Sequence, residues 1–131
     1  MSFQRVSSGG IWEKKVGYCR ALRAGNFVFV SGTAPVGEGG KVVAPGDAYR
    51  QARRCFEIVK ESLAKLDCPL SAVVRTRMFV TDVSRWEEYG RAHQEFFGEY
   101  PPTTAMLGID ALVDPEMMIE VEVDAILPAQ S

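Results

Sequence analysis

Between Met117 and Leu127, Ile119, Val121, Val123, Ala125 and Leu127 occupy one parity, and Glu120, Glu122 and Asp124 the other. A period of two belongs to a β-strand, whose successive side chains leave on opposite faces. This segment is therefore predicted to be a strand with one apolar face and one acidic face. Residues Val73 to Thr81 read as a second such strand, with Val74, Thr76, Met78 and Val80 on one side and Arg75, Arg77 and Phe79 on the other. Paired in one sheet, the two strands would set arginines against carboxylates. Unpaired charge on a covered face is expensive, so cross-strand ion pairs are the plain expectation for Arg77 with Glu120 or Glu122.

The remaining segments supply the other layer. Ala48, Ala52, Cys55, Phe56, Val59, Leu63 and Leu66 recur at three- and four-residue spacing, which predicts a helix from Asp47 to Leu66 with Asp47 as its N-cap. A second helix is predicted from a capping-box pattern at Ser84 to Glu87, running through Tyr89, His93, Phe96 and Phe97 to Gly98 and the Pro101-Pro102 pair. Trp86, Tyr89, His93, Phe96 and Phe97 share its broad apolar face, so His93 is expected to be packed rather than catalytic. Ahead of the first helix, Tyr18 to Leu22 and Phe27 to Ser31 read as a hairpin turning through Ala24-Gly25-Asn26. The stretch PVGEGGKVVAPGD is a loop, with Lys41-Val42-Val43 as a short extension, and Thr104 to Ile109 is a further strand. Residues 1–15 are expected to form an irregular arm. The order strand, strand, helix, strand, helix, strand, strand predicts one α+β domain over residues 1–131, with both helices on one face of a sheet. The other face mixes Phe79 and Ile126 with charge and is too apolar for free water, which predicts a homo-oligomer.

Composition narrows the chemistry. Among 131 residues there are 15 Lys and Arg, 17 Asp and Glu, and a single histidine, for a net charge of −2. That balance gives no basic stripe for a nucleic-acid backbone. One histidine excludes a multi-histidine metal site, and no cofactor or metal is expected. The three cysteines, Cys19, Cys55 and Cys68, form no C-x-x-C pair and are read as reduced thiols. The opening MSFQRVSSGG lacks the apolar core of a signal peptide, and no apolar run approaches the length of a membrane helix. A cytoplasmic protein is the expectation.

Taken together, VGYCRALRAGNFVFVSGT, the Gln51 to Leu66 helix, VVRTRMFVTD, the Tyr89 to Phe97 pattern, PPTTAMLGIDAL and IEVEVDA resemble the YjgF-type reactive intermediate deaminase (Rid) family over residues 16–127. The resemblance implies a chorismate-mutase-like fold. It also implies a homotrimer built around a barrel of sheets, with a small-molecule cleft at each subunit boundary. Deaminating members hydrolyse enamines and imines to a 2-keto acid and ammonia. Carried over by position, Glu120 would orient water, while Tyr18, Ser31 and Gly32 would line the pocket. The arginine that clamps the substrate carboxylate in those members is replaced here by Thr103. Thr104 follows it, Gly90 stands where many members have asparagine, Ala105 replaces the usual cysteine, and the segment before the last strand is about two residues longer.

Two replacements for the missing guanidinium are available, Arg77 and Arg20, with an ion pair the commoner role for the first and solvent exposure for the second. Alternatively the ligand lacks a carboxylate and uses the Thr103 and Thr104 hydroxyls. The sequence thus supports an imine or enamine hydrolase and, as an alternative, a trimeric metabolite-binding protein without turnover. The endoribonuclease or translation-inhibitor activity also attached to the family ranks last on this sequence, for want of a basic stripe and of exposed aromatics.

Overall fold

The computed structural model describes residues 2–128. Six strands, β1 (Phe3–Val6), β2 (Ala21–Ala24), β3 (Phe27–Thr33), β4 (Val73–Val80), β5 (Thr103–Gly108) and β6 (Ile119–Ile126), form one sheet in the order β1-β2-β3-β6-β4-β5. All neighbours are antiparallel except β4 and β5, which are parallel and joined through a helix. The helices are α1 (Ile11–Val16), α2 (Ala48–Ala64) and α3 (Trp86–Phe97).

The alternation in β6 is realised in full. Ile119, Val121 and Val123 are wholly buried and Ala125 nearly so, facing α2, whose Phe56, Val59 and Leu63 are also wholly buried. Each of these large side chains contributes ~1.5–3 kcal/mol by leaving water, which is what holds the helical layer on the sheet. Asp47 caps α2 as expected, its carboxylate accepting from the Arg50 amide at 2.9 Å. The hairpin turns at Gly25, which takes φ +62°, a conformation that costs other residues steric strain.

Several expectations are corrected. The irregular arm expected over residues 1–15 is corrected for its described part, residues 2–15: Phe3–Val6 adds an edge strand to β2, and Ile11–Val16 is a short helix. Main-chain pairing with an existing edge orders a segment whose own composition favours no structure. The first strand of the hairpin begins at Ala21 rather than Tyr18. The predicted Lys41–Val43 extension is reduced to one bridge between Val36 and Val42. The cap before α3 is Asp82, which accepts from the Ser84 amide and hydroxyl across a 3-10 turn, so the helix starts at Trp86 without a Ser84 capping box. Trp86 is mostly exposed, not part of the packed face. In β4 a register shift between Val73 and Arg75 buries Val73 and leaves Val74 exposed.

The face away from the helices carries Phe27, Phe29, Leu107 and Ile126, each between 42% and 53% exposed, around a charged centre. At that centre Arg77 lies 3.5 Å from both Glu122 and Asp124. The register sets Arg77 opposite Glu122, so the expected cross-strand pair forms there, while Phe79 rather than an arginine stands opposite Glu120.

Candidate functional site

Glu120 owes its setting to an irregularity in β3. Val30 pairs with Val123 and Thr33 with Val121, so three steps along β3 match two along β6, and Ser31-Gly32 forms a β-bulge beside Glu120. Bulges of this kind re-aim side chains and interrupt pairing at functional sites. A Cβ placed on Gly32 would stand 2.1 Å from Glu120 Oε1 and 3.1 Å from its carboxyl carbon. Only glycine leaves room for the carboxyl where it lies.

The bulge is held from the β2 side. Arg20 Nη2 donates to the Gly32 carbonyl at 2.5 Å, the Arg20 carbonyl accepts from the Ser31 amide at 3.0 Å, and Ser31 Oγ donates to the Cys19 carbonyl at 2.7 Å. The Arg20 guanidinium also lies 5.8 Å from the centroid of the Tyr18 ring. Tyr18 is itself anchored through its amide to the Glu13 carbonyl at 3.0 Å, at the end of α1. The bulge thus brings Ser31 and Gly32 beside Glu120, and Arg20 links that bulge to Tyr18.

Burial is the main influence on Glu120 and pushes its carboxyl above the ordinary 4.5; the Arg20 charge opposes the shift and Glu122 adds to it. A carboxyl whose proton affinity is moved towards neutrality is suited to exchange protons with a reacting water or amine.

Thr103 and Thr104 lie elsewhere. Thr103 pairs with Arg75 in register, whereas Glu120 pairs with Phe79, four residues further along β4. At ~3.3 Å per residue this separates them by ~13 Å along the strand within one chain. Thr103 Oγ1 donates to the Val74 carbonyl at 2.8 Å. Thr104 Oγ1 accepts from Thr76 Oγ1 at 2.7 Å, and Thr76 Oγ1 is also 2.7 Å from His93 Nε2. Burial between the Phe56 and Phe97 rings lowers the His93 pKa, so the ring stays neutral, as its packed setting requires. Arg77 is engaged by Glu122 and Asp124, each at 3.5 Å, and forms no ion pair with Glu120. Among the described residues no cluster of potential metal ligands occurs, and no helix is long and apolar enough to cross a membrane.

Residues 12–127 match the endoribonuclease L-PSP family model. The chain belongs to that family. Its relatives include the SCO2049 protein of Streptomyces coelicolor, 34% identical over 93% of this chain and 90% of the relative. The 3-aminoacrylate deaminase RutC of Acinetobacter baylyi is 32% identical over 79% of this chain and 82% of that protein. Among solved structures, Rv2704 from Mycobacterium tuberculosis, described as a member of the YjgF/YER057c/UK114 family, superposes with a TM-score of 0.87 and 39% identity, covering 96% of this chain and all of that one. The expected YjgF-type family and fold are thereby established.

Within this L-PSP family chain, the group that sequence reasoning placed wrongly is Arg20. It was expected in solvent, yet it packs against the bulge. Tyr18 and Arg20 are only two residues apart, but the chain bends at Arg20 before β2 begins, so strand parity did not reveal that the guanidinium sits over the Tyr18 ring.

Proposed function

We propose that this protein is a cytoplasmic hydrolase of small reactive imines or enamines. It would work as a homotrimer, in clefts where one copy supplies Glu120, Tyr18 and the Ser31-Gly32 bulge and a neighbouring copy supplies Thr103, while Thr104, bonded to Thr76 on the helix side of the sheet, stays outside the cleft. The observation that carries the reading is the Glu120 carboxyl, seated over a glycine at a β-bulge and made proton-retentive by burial. The relative named 3-aminoacrylate deaminase, an enzyme for an enamine acid, supports the reaction class.

The chemistry asks little beyond such a carboxyl. Protonation of the enamine carbon gives the imine, and water adds to its C=N carbon as Glu120 accepts the water proton. The same carboxyl returns that proton to nitrogen, giving a carbinolamine; it then takes the hydroxyl proton and passes it to the amine, the C–N bond breaks as the C=O bond forms, and ammonia leaves. No step needs a metal or cofactor.

Assembly is supported by two features. The ~13 Å between Thr103 and Glu120 along one chain is too far for both to hold one small ligand, so only a second copy brings them together. The exposed Phe27, Phe29, Leu107 and Ile126 offer the apolar surface that such contact would cover. Light scattering at micromolar protein is expected to report a trimer, and Phe29→Asp to dissociate it. A stable wild-type monomer would contradict this part of the proposal.

The activity is tested by generating iminopyruvate with an amino-acid oxidase and following semicarbazone formation. Wild type is expected to accelerate imine loss and Glu120→Gln to abolish the acceleration; full activity in Glu120→Gln would overturn the mechanism. Thr103, standing where deaminating relatives of the YjgF type carry a carboxylate-clamping arginine, favours a second reading in which the cleft binds a metabolite without turnover. Ligand-dependent thermal stabilisation with no imine loss would identify it. Ribonuclease activity stays last, because the one histidine is half-buried between aromatic rings, its pKa lowered by that burial.

A further inference from the structure

Among the described residues, Arg20 Nε is the buried side-chain polar atom left without a hydrogen-bond partner. Its Nη2 is engaged by the Gly32 carbonyl, and none of the ion pairs in the described chain includes it. Two carboxylates feel its charge. Glu13 is already held by the hydroxyls of Ser7 and Ser8, and Glu120 lies within electrostatic reach but forms no salt bridge with it. The guanidinium is thus a partly covered cation whose Nε is sealed inside and whose Nη1 makes no hydrogen bond and is not sealed, over the Tyr18 ring and against the Gly32 carbonyl of the bulge that seats Glu120. A half-buried cation in this state is stabilised by any anion that reaches it.

We infer that Arg20 is the anion-recognition group of the cleft, and that the ligand is a small carboxylate gripped from the β2–β3 side rather than from the β5 side, where Thr103 stands. The inference deepens the hydrolase reading and rests on it for the reaction, though not for binding. It also has a geometric merit. In a 2-imino acid the reacting C=N carbon is bonded directly to the carboxylate carbon. A clamp beside Glu120 therefore places the reacting carbon next to the group that handles its water. Arg77, the other arginine near the sheet centre, already faces two carboxylates and has no need of a third.

The test compares pyruvate, as a stable 2-keto acid, with its uncharged methyl ester, using calorimetric titration and thermal shift on the full chain. Wild type is expected to bind pyruvate at least ~10-fold more tightly than the ester, from one charge-assisted contact. Arg20→Gln is expected to lose that discrimination, with pyruvate binding weakened ~10- to 100-fold. Arg20→Lys is expected to keep part of it, since lysine supplies charge without the planar fork. The Lys variant also guards against a Gln variant that merely fails to fold.

Equal wild-type affinity for pyruvate and its ester would overturn the assignment, as would loss of discrimination in Arg77→Gln but not in Arg20→Gln. The semicarbazone assay on Glu120→Gln reports separately on the hydrolase reading. Full turnover there, combined with lost discrimination in Arg20→Gln, would refute the reaction and uphold the binding role. Abolished turnover with unchanged discrimination in Arg20→Gln would do the reverse.

Discussion

Replacing Gly32 with alanine is expected to leave the fold almost untouched and to remove most of the activity. The alanine Cβ would lie 2.1 Å from Glu120 Oε1, where ordinary contact begins at 3.4 Å, so the carboxylate must retreat by more than 1 Å. The substitution costs little in stability, because two effects oppose each other. The Gly32 backbone does not occupy the left-handed region, so alanine reduces the freedom of the unfolded chain and gains ~0.4–1 kcal/mol. Against this stands an overpacking cost of ~1–3 kcal/mol, softened because the displaced atoms belong to the end of a mobile side chain.

The net change is therefore within ~2 kcal/mol, and the melting temperature shifts by less than ~10 °C. Catalysis is less forgiving, since a misplacement of ~1 Å costs ~100-fold. Differential scanning fluorimetry beside the semicarbazone assay separates the two effects. In a Glu120→Ala background the clash disappears and Gly32→Ala is expected to become neutral or stabilising, which a double-mutant cycle reads as a coupling energy. Gly32→Ala protein with turnover within ~3-fold of wild type would refute the view that Gly32 exists to seat Glu120.

Stability is expected to carry the signature of the same carboxyl. Burial raises the Glu120 pKa above 4.5, so this group favours the folded state most at low pH, and that contribution is lost as pH rises through the folded pKa. Glu120→Gln, neutral throughout, is expected to gain in melting temperature relative to wild type as pH rises above 4.5 and the wild-type carboxyl must ionise, and a pH-independent difference would contradict the burial argument. Thr76→Val keeps the shape of a wholly buried residue but removes the hydroxyl that links His93 Nε2 to Thr104. Chemical denaturation is expected to show a loss of ~1–3 kcal/mol, because the half-buried imidazole is left without its partner. A change below ~0.3 kcal/mol would mean that the chain of hydroxyls is structurally idle.

How much of this was legible from residues alone varies with the range of the interaction. The β6 alternation, the α2 stripe and the Asp47 cap are local patterns, repeated every two or every three to four residues, and each formed where it was read. The Ser84 capping box failed because Asp82, two residues earlier, competes for the same amide and hydroxyl. Residues 3–6 offered no period of their own and became a strand only because β2 presented an open edge.

For the site, the chain's own sequence determined that Glu120 lies on the face opposite the core, since parity along a strand needs no knowledge of neighbours. That Thr103 replaces a clamping arginine is not read from the chain itself but is implied by its resemblance to the YjgF-type family. Tertiary structure alone decided the rest. Bulge placement, the Arg20 contact with the Gly32 carbonyl and the separation of Thr103 from Glu120 all follow from strand register, and register depends on contacts between residues dozens of positions apart. A sequence records which groups are available, while the pairing of β3 and β4 with β6 decides which of them meet.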